Sequence, residues 1–216
     1  MILTLAGADP ARAEFEIGLY GGANTSLSSR VELHNGALSD VRTVDWEGVS
    51  FEMPPYWGIR GIWWLNRSSS WGLGIDYMHS KARADIDFAT DPVYKRLEFT
   101  NGNNLLMLNV MYRFAPWMDD RLTPYVGIGG GIAVPHVEVR LRPPYPPDWT
   151  GEYQFAGGAA QALVGLDFRV AGSWSIFTEA KISYSHLATE LEAGGQLKTY
   201  LWTPQIMLGV TYRFGE

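Results

Sequence analysis

The chain has 216 residues, no cysteine, and 17 basic against 23 acidic side chains, a net charge of −6. That length suits one domain, and the missing cysteines exclude a disulfide framework and any thiol-ligated metal site. The acidic balance argues against a nucleic-acid partner, and no stretch supplies the ~20 apolar residues of a spanning helix.

Residues 1–13, MILTLAGADPARA, end in the small-residue pattern Ala11-Arg12-Ala13. This reads as the remnant of a secretory leader cleaved before Glu14, with a single barrel domain over 14–216. Aromatics make up 13% of the chain and glycine contributes 24 residues, which favours many strands over packed helices.

From Glu14 onward the signal is strict alternation. Strands are expected at 14–25, 54–66, 70–83, 102–115, 121–139, 152–170, 173–188 and 197–214. The last is the clearest: Ile206, Leu208, Val210, Tyr212 and Phe214 share one face, and Met207, Gly209, Thr211 and Arg213 the other. The same pattern governs Trp71–Tyr77, Leu106–Phe114, Ala162–Phe168 and Trp174–Tyr184. Short connections (66–70, 116–120, 171–172) alternate with long ones (26–53, 84–101, 140–151, 189–196). This predicts an all-β chain: an eight-stranded antiparallel transmembrane β-barrel of an outer membrane, with short periplasmic turns and longer extracellular loops.

Glu16, Arg60, Asp76, Arg113, Asp167, Arg169, Glu179, Lys181 and Arg213 fall on the inward phase. A barrel this small is filled by side chains, so these charges are expected to pair inside it. MLNVMYRF at 107–114 echoes MLGVTYRF at 207–214, so two strands should play the same part at the same membrane face. The run GIGGG at 127–131 lies within a strand with no helix after it, which makes it barrel wall rather than a phosphate loop.

Candidate chemistry lies at the outer strand ends. His79, His136 and His186 all follow the apolar girdle on the lipid-facing phase, although Pro135 can flip His136 inward through a bulge. Glu98, Glu138, Glu152 and Gln154 share their height. His136-x-Glu138 puts an imidazole and a carboxylate on one side of a strand, a combination that suits a divalent metal or a general base. The plainer alternative is polar capping of the girdle. His34 reads as an exposed loop residue. Segments 45–47 and 52–56 could form a lid, and the stiff basic run from Arg140 to Pro147 could meet lipid phosphates through arginine.

The segments DWEGVSFEMPPYWGIRGIWW (45–64), KRLEFTNGNNLLMLNVMYRF (95–114), TPYVGIGGGIAVPHVEV (123–139) and EYQFAGGAAQALVGL (152–166) resemble the lipid A oxidases, a family of small α-proteobacterial outer-membrane barrels. The resemblance runs from Glu14 to Phe214. It implies O₂-dependent oxidation of the proximal glucosamine of lipid A to 2-aminogluconate, with hydrogen peroxide as by-product, O₂ as co-substrate and a divalent metal assisting. It supplies no catalytic residue set. Our own assignment takes His136 or His79 as the base for the anomeric hydroxyl. It takes His79, Glu98, His136 and Glu138 as metal ligands, and Arg96, Arg140 and Gln154 as substrate contacts. The partners expected are outer-membrane lipids, lipid A of lipopolysaccharide, and the barrel-insertion machinery, which reads an aromatic C-terminal signal like Tyr212-Arg213-Phe214. Two alternatives stand beside this reading. One is a non-catalytic barrel serving as adhesin, surface antigen or anchor. The other is a lipid A deacylase, disfavoured because Ser185 and His186 are adjacent and must face opposite ways.

Overall fold

The computed structural model describes residues 13–36, 38–66, 69–145, 149–192 and 194–214, so most of the expected leader remnant lies outside the described residues. Among the described residues every regular element is a strand. They are β1 (Glu14–Asn24), β2 (Ser26–Asn35), β3 (Leu38–Glu47), β4 (Trp57–Trp64), β5 (Trp71–Ser80), β6 (Arg83–Ala84) and β7 (Tyr94–Glu98). β8 (Asn103–Arg113), β9 (Leu122–Leu141), β10 (Thr150–Tyr153), β11 (Gly157–Ala171), β12 (Trp174–Leu191) and β13 (Gly195–Phe214) complete the chain.

Eight of them close a ring. β1 pairs antiparallel with β4, and the pairing continues through β5, β8, β9, β11 and β12 to β13, which returns to β1. Closure leaves this ring no unpaired edge, which is what allows strands to cross a membrane. The glycine run belongs to its wall: a side chain at Gly131 would sit 1.9 Å from the Leu106 carbonyl oxygen of the neighbouring strand. The two echoed segments do play one part. The backbone N–H of Arg113 donates to Ser70 and that of Arg213 to Ser173, each at the lower end of a descending strand.

Charged side chains in the middle of the ring interior are paired. Arg60 bonds Glu179 at 2.5 Å, Lys181 bonds Asp76 at 2.5 Å, and Arg213 bridges Glu16 at 2.7 Å and Asp167 at 2.5 Å. Tyr20 donates to Asp76, and Tyr125 donates to Glu179. Buried charges persist when they are both paired and hydrogen-bonded. Arg113 finds Glu14 at 2.8 Å. Arg169 departs from expectation: it lies exposed at the lower mouth, beside a register shift near the end of β11.

The long connections carry strands of their own. Residues 26–53 hold the hairpin β2–β3, 84–101 holds β7 and the end of β6, and β9, β12 and β13 run well past the ring. β13, β2, β3, β6, β7 and β9 pair in succession, and β10 covers β9 from the other side. The result is a β-walled extension above the ring. Val31, Leu33, Leu97, Phe99, Val137, Val139, Leu187 and Leu197 fill it, all 0% exposed.

The two halves have opposite polarity on continuous strands. On β13, Leu197 and Leu201 point inward above, while Ile206, Leu208 and Val210 point outward below. β12 does the same, with Leu187 and Leu191 inside and Ile176 and Ile182 outside. The upper wall therefore meets water, and the lower wall meets an apolar medium.

Candidate functional site at the outer rim

Two aromatic belts bound the lower wall. The inner-side belt includes Trp71 with Tyr112, Trp174 with Tyr212, and Phe15 with Phe214. The outer belt includes Trp57 with Tyr77 and Tyr184 with Trp202. Between them stands an aliphatic band of exposed side chains such as Leu73, Leu108, Ile128, Val164 and Leu208. Residues 203–211 separate Trp202 from Tyr212, which matches the ~9–11 residues that a tilted strand needs to span a bilayer. Aromatic belts flanking such a band are the signature of a bacterial outer-membrane wall. The chain is an outer-membrane β-barrel.

No protein-family profile and no curated protein matches the chain. Among solved structures it is similar in shape to Neisserial surface protein A, at 12% identity and a TM-score of 0.47, covering 92% of this chain and 96% of that one. It is likewise similar to AlkL, solved in lipid bilayers, at 13% identity and a TM-score of 0.47, covering 100% and 97%. For Ail of Yersinia pestis the figures are 13% identity, a TM-score of 0.40, and 94% and 99% coverage. The outer-membrane assignment rests on the wall itself.

His79, His136 and His186 lie just above the outer belt on the lipid-facing phase, as the alternation predicts. Their surroundings differ. His186 is exposed, and its neighbour Ser185 is buried on the inner side, where Asn103 donates to its hydroxyl, so the two form no catalytic pair. His79 is only 5% exposed. The turn 99–102 covers it, and a side chain at Gly102 would strike the imidazole ring at 2.5 Å. Its Nδ1 lies 2.9 Å from Asn104 Oδ1, which leaves Nε2 buried without a partner.

His136 stands with a charged cluster. Its Nδ1 lies 3.1 Å from Glu138 Oε1. Asn101 donates to the same oxygen, and Arg96 holds both Glu98 and Glu138, the latter at 2.8 Å. Glu98 faces Glu138 directly across the β7–β9 pair. Burial raises the Glu98 carboxyl above its ordinary range, and the hydrogen bond it shares with Glu138 raises it further. Burial lowers the His136 imidazole, and the Arg96 charge lowers it further. Tyr153 packs edge-on against that ring at 4.7 Å.

The expected four-ligand metal set is not assembled. β8 and the turn 99–102 stand between His79 and the other three. Among the described residues no group of three or more His, Asp or Glu side chains is arranged to hold a metal ion. The Arg96 guanidinium already bonds both carboxylates, so the cluster as built does not fit a resident divalent ion. Gln154 is occupied as a staple: it donates to Glu190 O at 2.8 Å and accepts from Glu190 N at 2.9 Å, joining the end of β10 to β12. Of the two arginines in the stiff loop, Arg142 ties down residues 88–91, whereas Arg140 lines a cavity beside Arg96.

Lys81 is missed by sequence reasoning. It continues the outward phase of β5, yet it is 1% exposed, with its amine donating to Glu52 O at 2.6 Å. Burial lowers that amine, and the carboxylates of Glu52, Glu98 and Glu138 work against the shift. The amine meets the Glu52 carbonyl, and alternation carries no trace of that contact.

Proposed function

We propose that this barrel acts on the sugar headgroup of lipid A at its outer rim. The reaction is oxidation of the proximal glucosamine to 2-aminogluconate with O₂ as electron acceptor. The observation that carries the reading is the placement of His136 beside the Glu98–Glu138 pair. It sits on the lipid-facing side of the wall, directly above the outer aromatic belt, at the height where headgroup sugars begin. A leaflet lipid reaches such a site laterally.

In this reading His136 takes the proton of the anomeric hydroxyl. The C1 hydrogen leaves with two electrons, O₂ is reduced to hydrogen peroxide, and the resulting lactone opens with water to the aldonate. Burial raises the Glu98 carboxyl, which favours the form that can donate a hydrogen bond to the sugar ring oxygen. The outward, exposed Phe214, packed on Phe15 and Tyr212, supports its reading as the insertion signal.

Mass spectrometry of lipid A incubated in air with the refolded barrel tests the proposal, with and without chelator. Gain of one oxygen atom, abolished in His136→Ala, is expected. Unchanged lipid A would favour the non-catalytic reading, which the Arg96 clamp on both carboxylates supports. Loss of an acyl chain would point to a deacylase.

A further inference from the structure

Along β1 the outward side chains shrink towards the outer belt: Phe15, Ile17 and Leu19 give way to Gly21 and Ala23. Gly21 stands between two large outward neighbours. Its partner on β13 is Leu208 and its partner on β4 is Trp57. The result is an apolar groove of about 570 Å³ in the outer surface of the ring, walled by Leu19, Trp57, Ile176, Leu208 and Val210. It begins at Trp57, in the outer belt beside Tyr77, and crosses the aliphatic band to Ile176 on β12.

The backbone does not demand a glycine at position 21. Two nearby glycines are fixed by packing: a side chain at Gly22 would meet the Ile206 carbonyl oxygen at 2.1 Å, and one at Gly209 the Phe177 ring at 2.4 Å. At Gly21 the first side-chain carbon would find only the Tyr56 carbonyl oxygen, at an ordinary 3.6 Å, and the residue is not left-handed. The missing side chain therefore shapes the outside of the wall, not its inside.

The groove lies on the face that meets lipid, so hydrocarbon is what fills it. Between a lipid chain and an apolar wall the hydrophobic effect gives no preference, and van der Waals packing decides. A chain on the convex wall touches it along one side. A chain in the groove touches a floor and two flanks, and these small contacts add up. Trp57 stands at the upper end, where a belt aromatic meets the headgroup level. A chain entering there leaves its headgroup at the water interface.

We infer that this groove is a binding site for one acyl chain of an outer-leaflet lipid. It lies on β1, four strands from β9 and His136 in either direction around the ring. The inference goes beyond the reaction proposed above and does not depend on it.

The test is photolabelling of the refolded full chain in phosphatidylcholine vesicles. A small fraction of the lipid carries a diazirine midway along one acyl chain, and adducts are located by peptide mass spectrometry. Ile75 and Leu108 face each other across β5 and β8 in the same aliphatic band, 51% and 69% exposed, and report ordinary lipid contact. Labelling of Leu19, Leu208 and Val210 in excess of these two is expected. Gly21→Leu fills the groove and should abolish the excess while labelling at Ile75 and Leu108 stays unchanged. Trp57→Ala removes one flank and should reduce it. Folding of both variants is checked by heat-modifiable electrophoretic mobility. Equal labelling of groove and control positions in the parent overturns the inference, as does an excess that both variants leave intact. Weaker labelling in the groove than at Ile75 and Leu108 would mean that a protein surface covers it, and overturns the inference too.

Discussion

Leu197 and Leu208 lie on one unbroken strand, β13, and point to opposite sides of its wall: the first is 0% exposed and the second 63% exposed. The strand keeps its register while the solvent outside it changes from water to lipid. The two positions should therefore fail differently. Leu197→Ala removes core volume from the extension and should cost about 2–5 kcal/mol, seen as faster proteolysis of the extracellular part with the ring intact. Leu208→Arg places a charge against hydrocarbon and should cost about 2–4 kcal/mol, seen in reversible unfolding from lipid vesicles. Equal effects of the two changes in both assays would refute the inversion of polarity.

Lys181 and Asp76 hold the centre of the ring. Lys181→Met leaves Asp76 buried without its cation and should destabilise by about 3–5 kcal/mol. Adding Asp76→Asn should recover a large part of that loss. A double variant no better than the single one would mean that the pair does not carry this energy.

Glu98 predicts a pH dependence of stability. Its folded carboxyl is raised above the ordinary 4.5, so the folded protein holds that proton more tightly than the unfolded chain. The contribution is fully present below 4.5 and is lost as pH rises through the folded value. Glu98→Gln keeps the hydrogen-bonding shape without the proton. Thermal unfolding of the variant should lack this decline between pH 4.5 and neutrality.

His136 predicts the pH dependence of turnover. Its imidazole is lowered below the ordinary 6.5, so the base form persists into mildly acidic solution. The rate of lipid A oxidation should hold at pH 6.5 and fall only at lower pH. Loss of activity beginning above 6.5 would exclude His136 as the base.

Gly102 guards His79. It has a φ of +117°, and a side chain there would lie 2.4 Å from Asn104 Oδ1. Gly102→Ala should lift the turn 99–102 and expose His79 to an imidazole-modifying reagent that the parent protein resists. Unchanged protection would show that the turn does not bury the ring.

The period-two alternation of residues 70–83, 102–115, 121–139, 173–188 and 197–214 is enough to specify the wall of the membrane ring, because a half-buried strand must place its apolar side chains on one face. The same parity foretold the inward charges and the outward phase of His136 and Glu138. It did not disclose the extension. Alternation alone leaves segment 26–53 as a connection, yet Asn35-Gly36, flanked by Val31, Leu33 and Val44, is a hairpin signal, and the structure builds β2 and β3 there. There the apolar face is turned inward and the polar face outward, the reverse of the ring, so a single rule for both halves fails above the belt. Tertiary structure alone decided the site. It covered His79 with a turn, set the Lys81 amine on the Glu52 carbonyl, and bonded Arg96 to two carboxylates. Each of these depends on which strands meet at the rim, and pairing partners far apart in sequence leave no periodic mark on it.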